Sequence, residues 1–187
     1  MAQISTNEMR GGMKVELEGQ PYTIIFNEFV KPGKGQAFNR VKLKHLLTGR
    51  VIERTLKSGD RLDVAEVVDT NMRMLYKESD GVVFMDDATF DQVKIANDHL
   101  ESVMPWMKED LVYDVIFYKG QPITVEPPTF LELLIVETAP GLRGDTSGRV
   151  LKPAIIETGA TVQVPIFVDQ GEKIRIDTRT GEYVSRV

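Results

Sequence analysis

Apolar and polar positions alternate in short runs along most of the chain, and turns rich in Gly, Pro, Asp and Ser separate the runs. Period-two alternation puts successive side chains on opposite faces of an extended backbone, so these runs predict strands. Residues 14–17, 21–30, 37–47 and 51–56 form the first set, closed by Lys57-Ser58-Gly59-Asp60. The 21–30 run is dense in β-branched and aromatic residues. In 37–47, Val41, Leu43 and Leu47 share one face, while Arg40, Lys42 and Lys44 share the other. A second set follows at 70–76, 82–85, 111–118 and 123–125, and a third at 130–137, 150–156, 161–164, 172–177 and 182–185. Only residues 90–103 read as a helical window, with Asp86-Asp87-Ala88-Thr89 as its start signal and Pro105 beyond its end.

About five short strands per set predict an all-β chain of three small β-barrel domains, with OB-type barrels suited to the later sets. Glu126-Pro127-Pro128-Thr129 cannot continue a central strand, because two prolines remove two ladder donors, and the last boundary falls there. The expected division is 1–65, 66–128 and 129–187. Barrels this small bury little core each, so neighbours are expected to pack on one another.

Composition narrows the chemistry. There is no cysteine, which removes disulfides, thiol nucleophiles and zinc–thiolate sites. The two histidines, His45 and His99, lack ligand-spaced partners, so no metal site is expected. His45 lies on the apolar side of its strand and reads as structural. No apolar run approaches the roughly 20 residues that span a bilayer, and the first residues lack a signal-peptide pattern. A cytoplasmic protein without membrane contact is expected. Trp106, between Met104 and Met107, reads as packing rather than as a base-stacking platform.

Charge is unevenly spread. The chain carries a formal net charge of −5, yet residues 29–52 contain no Asp or Glu and hold Lys31, Lys34, Arg40, Lys42, Lys44 and Arg50. Within this window Lys31-Pro32-Gly33-Lys34-Gly35-Gln36 separates two strand runs and predicts a hairpin loop. Glycines on both sides of Lys34 free the backbone and remove bulk, so a long ammonium side chain is expected at the tip of a two-stranded arm. A basic face of Arg40, Lys42 and Lys44 would run beneath it. An acidic protein with one basic arm points to a polyanionic partner at the arm. A nucleotide P-loop is excluded, because the pattern and its following helix are missing.

A second distinctive stretch is residues 141–149, Gly-Leu-Arg-Gly-Asp-Thr-Ser-Gly-Arg. Its serine is out of place for a nucleophile elbow and has no downstream histidine, and its aspartate has no second copy to form a dyad. No catalytic residues are expected. The loop reads equally as a phosphate or ribose contact or as a plain Asx-type turn.

Residues 28–38, Glu-Phe-Val-Lys-Pro-Gly-Lys-Gly-Gln-Ala-Phe, followed by Arg40-Val41-Lys42-Leu43, resemble the first-domain loop of bacterial elongation factor P. The resemblance extends through residues 141–148, Lys152-Pro153-Ala154, Thr158-Gly159-Ala160, Val164-Pro165, Gly171-Glu172 and residues 177–187. It implies a KOW/SH3-like barrel followed by two OB-type barrels, and a monomer that binds the 70S ribosome between the P and E sites at consecutive prolines. It further implies that Lys34 contacts the CCA end of the P-site peptidyl-tRNA. A lysine-modifying enzyme would act on Lys34, adding a β-lysyl type group, with or without hydroxylation, and no dissociable cofactor is implied. Gly144, Asp145 and Thr146 would lie near the E-site mRNA codon. The alternative is a general OB-fold RNA-binding protein or RNA chaperone, which calls for diffuse basicity and exposed aromatics.

Overall fold

A computed structural model of the protein describes residues 2–141 and 149–187. The described chain is almost wholly β, in three sheets that follow one another in sequence. The first contains β1 (Gln3–Ser5), β2 (Lys14–Leu17), β3 (Gln20–Val30), β4 (Phe38–His45), β5 (Val51–Lys57) and β6 (Arg61–Val64), in the order β1-β6-β2-β3-β4-β5. Met9, Val15, Ile24, Val41, Leu43 and Leu62 form its core.

The second sheet holds β7 (Val67–Lys77), β8 (Gly81–Met85), β9 (Gln92–Ala96), β10 (Val112–Tyr118) and β11 (Gln121–Glu126), ordered β11-β10-β7-β8-β9. The third holds β12 (Phe130–Thr138), β13 (Leu151–Ile156), β14 (Thr161–Pro165), β15 (Lys173–Asp177) and β16 (Glu182–Arg186), ordered β14-β13-β12-β15-β16. Counted along the chain, both sheets read 5-4-1-2-3, and in each the third and fifth strands come alongside one another to close the barrel. That is the Greek-key closure of an OB barrel, which leaves almost no free edge.

The helical window at 90–103 is not helical. Its first part is β9, in which Ile95 is buried between exposed Lys94 and Ala96, a period of two. Single 3₁₀ turns at Asn97–His99 and Met104–Trp106 follow. Leu100, Val103 and Met107 drop from these turns into the barrel core, and the three-residue spacing of Leu100 and Val103 imitated a helix face. Gly81 opposes Ala96 across the β8–β9 ladder, and a Cβ there would lie 2.5 Å from the Ile95 carbonyl oxygen. Two short strands, β1 and β6, carry too few residues to show alternation; they pair with each other, and β6 also pairs with β2.

The barrels are joined in two different ways. Between the first and second the contacts are polar. Tyr118 donates to Glu16 at 2.7 Å, and Lys119 Nζ lies 3.3 Å from the same carboxylate oxygen. The Tyr118 hydroxyl, followed by Lys119, holds the Glu16 carboxyl below its usual range. Between the second and third barrels the contact is largely apolar. Trp106 and Leu111 pack against the third core, Gly181 sits against the indole, Thr158 donates to the Pro105 carbonyl at 2.7 Å, and Lys108 lies 3.0 Å from Glu157 at the edge.

His45 is a structural histidine. Its ring meets Tyr22 edge-on at 4.9 Å, Nδ1 accepts the backbone N–H groups of Leu47 and Thr48, and Nε2 donates to Gln20 at 3.2 Å. An imidazole whose Nδ1 accepts two donors is neutral, and partial burial lowers its pKa.

Two expectations follow from this packing. Trp106→Ala should destabilise the protein by about 2 kcal/mol, less than for a fully buried tryptophan, with the loss concentrated in the third barrel when unfolding is followed by calorimetry. Because the folded His45 resists protonation, the unfolded chain takes up the extra proton, so this contribution to stability falls as pH drops through the unfolded value of about 6.5. Urea midpoints measured from pH 8 to pH 5 should show that decline, and His45→Gln should flatten it.

Candidate RNA-facing arm

Strands β3 and β4 are longer than the barrel needs. Ile24, Leu43 and Val41 line the core, while the pairs beyond Asn27↔Val41, through Val30↔Phe38, project from it with β5 still alongside β4. At about 3.3 Å per residue, the three residues after Asn27 on β3 carry the chain roughly 10 Å outward. The register shifts between Ile24 and Phe26, leaving Ile25 as a bulge. One extra residue reverses the alternation, so Asn27 and Phe29 take the side that Ile24 holds in the barrel.

The arm has its own internal brace. Asn39 Nδ2 donates to Asn27 Oδ1 at 2.9 Å, and Asn27 Nδ2 donates in turn to the carbonyls of Thr6 and Met9 at 3.0 and 3.2 Å. This chain of amides ties both strands to the N-terminal turn where the barrel core ends. Sequence alternation alone did not single out either asparagine, although both occupy inward positions in otherwise apolar registers.

At the tip, Lys31, Gly33, Lys34, Gly35 and Gln36 are exposed and Pro32 is half-buried. Gly35 takes φ of 111°, a conformation that a residue with a Cβ rarely adopts, with Pro32 packed beneath it. Gly33 has no positive φ and open space around it, so only one of the two glycines serves the turn. Among the described residues no carboxylate pairs with Lys31 or Lys34.

The strand behind the tip differs from the bare basic face read from the sequence. Arg40, Lys42 and Lys44 do project together from β4. However, Arg40 lies 3.6 Å from Glu28 on β3 and 3.6 Å from Glu53 on β5, and Lys42 sits over the Phe26 ring at 5.6 Å. The acid-free window ends at those two glutamates, and the antiparallel meander folds both ends back onto its middle. Positive charge is therefore partly neutralised at Arg40, while Lys31 and Lys34 at the tip lack such partners.

On the opposite side of the arm root is a groove of about 440 Å³ lined by Thr6, Asn7, Met9, Arg10, Gly11, Asn27, Phe29 and Asn39. Phe29 is 55% exposed, whereas Asn39 is 3% exposed and its Oδ1 has no hydrogen-bond partner. Gly144, Asp145 and Thr146 lie outside the described residues. Among the described residues no three His, Asp or Glu side chains group as metal ligands, and no helix is long and apolar enough to cross a membrane.

Comparison with known proteins agrees with this architecture along the whole chain. Residues 5–62 match the elongation factor P (EF-P) KOW-like domain, residues 67–125 the elongation factor P (EF-P) OB domain, and residues 131–186 the elongation factor P C-terminal domain. The chain is 69% identical over 188 residues to "Elongation factor P 2" of Protochlamydia amoebophila (strain UWE25), covering 100% of this chain and 99% of that one. It is 56% identical over the same span, with the same coverage, to "Elongation factor P 2" of Chlamydia pneumoniae. Among solved structures, eukaryotic translation initiation factor 5A from Methanococcus jannaschii superposes with a TM-score of 0.54 at 20% identity, over 67% of this chain and 92% of that one, which is a likeness of fold. A KOW-like barrel carrying a lysine-tipped arm, two OB barrels behind it, and relatives this close over their full length place the chain in the elongation factor P family of translation elongation factors.

Proposed function

We propose that this protein binds the 70S ribosome between the P and E sites and restores peptide-bond formation when synthesis stalls at consecutive prolines. The observation that carries this reading is Lys34: exposed and without a carboxylate partner, at the end of an arm braced at its root. A donor that reacts slowly loses its near-attack geometry, and a rigid cationic probe against the CCA end of the P-site tRNA restores positioning without joining the chemistry. The ribosome remains the catalyst, and this protein acts through orientation and charge.

Modification of Lys34 by a β-lysyl type group, added by a dedicated enzyme, fits the same site. The tip presents its ammonium to solvent with glycines on either side, so both an enzyme and a longer side chain have room. Gly144, Asp145 and Thr146 complete the reading as the loop near the E-site codon, and a cytoplasmic location follows from a ribosomal role. A general RNA chaperone is less favoured, because Arg40, in the middle of the basic strand face, is paired with glutamates.

The test is substitution at the tip. Lys34→Ala should leave stability within about 0.5 kcal/mol, as at an exposed loop site, while abolishing rescue of a Pro-Pro-Pro reporter in a reconstituted translation assay. Rescue that survives the substitution would refute the proposal. Mass spectrometry of residues 28–40 from protein purified from its own host should show added mass on Lys34.

A further inference from the structure

We propose that Lys119 is a positioning residue: from a strained hairpin turn of the second barrel it sets the angle of the first barrel, and so of the Lys34 arm. Two hairpins meet at this joint. The β2–β3 pair Leu17↔Gln20 encloses Glu18-Gly19, and the β10–β11 pair Tyr118↔Gln121 encloses Lys119-Gly120. All four enclosed residues have positive φ, 53° and 75° in the first turn, 49° and 77° in the second. Two-residue loops of this hand match the twist of their strands, and their first position favours Asn, Asp or Gly. A lysine there is held in a region that residues with a long side chain rarely enter.

From that turn Lys119 reaches the joint with both backbone and side chain. Its N–H donates to the Glu66 carbonyl at 3.0 Å, and Ala65-Glu66 is the whole link between β6 and β7. Ala65 donates its own N–H to the Lys14 carbonyl at 3.1 Å, so the link is tied to both barrels. Lys119 Nζ lies 3.3 Å from Glu16 Oε2 on β2, a carboxylate whose side chain is only 15% exposed. The same ammonium stands 5.0 Å from the centre of the Tyr118 ring, whose hydroxyl donates to that oxygen at 2.7 Å. The backbone contact needs no particular side chain. The other two need a cation on a long stem, which Asn and Gly, the residues that suit the turn, cannot supply. A residue that fits its own hairpin poorly and crosses to the neighbouring barrel serves the joint, not the hairpin.

This inference rests on the reading that Lys34 meets the end of a tRNA, and it names what aims the arm. A first barrel held at one angle delivers the arm already oriented, so less ordering is left to binding. Loss of the Lys119 side chain should raise the protein concentration that rescue needs and leave the rate at saturation nearly unchanged.

The test uses the full-length protein, labelled with ¹⁵N and weakly aligned, with residual dipolar couplings read separately for first-barrel amides and for the rest. The unsubstituted protein is compared with Lys119→Asn, which suits the turn and removes the cation, and Lys119→Arg, which keeps the cation. All amides of the unsubstituted protein should fit one alignment tensor. In Lys119→Asn the first-barrel couplings should shrink about twofold against those of the body, with a melting temperature equal or higher. Half-maximal rescue of the Pro-Pro-Pro reporter should then need about fivefold more Lys119→Asn protein, with the same rate at saturation. Lys119→Arg should restore both readouts. Two tensors in the unsubstituted protein, or one in Lys119→Asn, would overturn the proposal. So would separate tensors with an unchanged half-maximal concentration. A lower melting temperature with rescue reduced even at saturation would mean a merely structural role and would overturn it too. The couplings are read without ribosomes, so failure of the joint appears there, whereas failure of the arm reading appears as rescue that survives Lys34→Ala.

Discussion

The hydrogen-bonded pair Asn27–Asn39 is the contact on which the arm depends. Beyond Val41 the β3–β4–β5 sheet has no core beneath it, and strands without one are marginal in water. The protein supports the arm root with amides, in addition to the β4–β5 pairing and the burial of Val41. Asn39 holds Asn27, and Asn27 holds the backbone of the N-terminal turn, so the arm is clamped at the outer end of the core, level with Val41. The Ile25 bulge just before the clamp turns Asn27 to the inner side. Without that extra residue, strict alternation from Ile24 would direct Asn27 outward.

Electrostatics then distinguish tip from stem. Glu28 and Glu53 flank Arg40, and Phe26 lies beneath Lys42, so the stem is a mixed surface and the tip a cationic one. For a protein of net charge −5 that arrangement limits indiscriminate adhesion to polyanions. Strand pairing sets which charges meet, because Glu28↔Arg40 and Arg40↔Thr55 are neighbours in one sheet and Glu53 stands one step along.

Much of the fold is legible in the sequence. The long strands β3, β4, β7, β10 and β12 announce themselves by alternation and β-branched residues, and the arm by its Pro and Gly between two such runs. The failures share one physical origin, that linear windows do not see closure. Residues 90–103 looked helical because a start signal at Asp86–Thr89 precedes them and Leu100 and Val103 are spaced three apart, while β9 is fixed as a strand by its partner β8. The acid-free stretch looked uniformly basic because its bounding glutamates return only once β3, β4 and β5 lie side by side. Asn39 was hidden for the same reason: its environment is assembled from the N-terminal turn, β3 and β4, which are distant in sequence.

The two joints between barrels are made of different materials. Trp106 and Leu111 bury apolar surface against the third core, whereas the first barrel meets the second through Glu16 with Tyr118 and Lys119, at a partly solvated surface. Both joints carry an ion pair, Lys119–Glu16 in one and Lys108–Glu157 in the other, but salt leaves the apolar surface buried by Trp106 and Leu111 nearly untouched. Rising ionic strength is therefore expected to loosen the first joint more than the second, and the barrel it would free is the one that carries the arm.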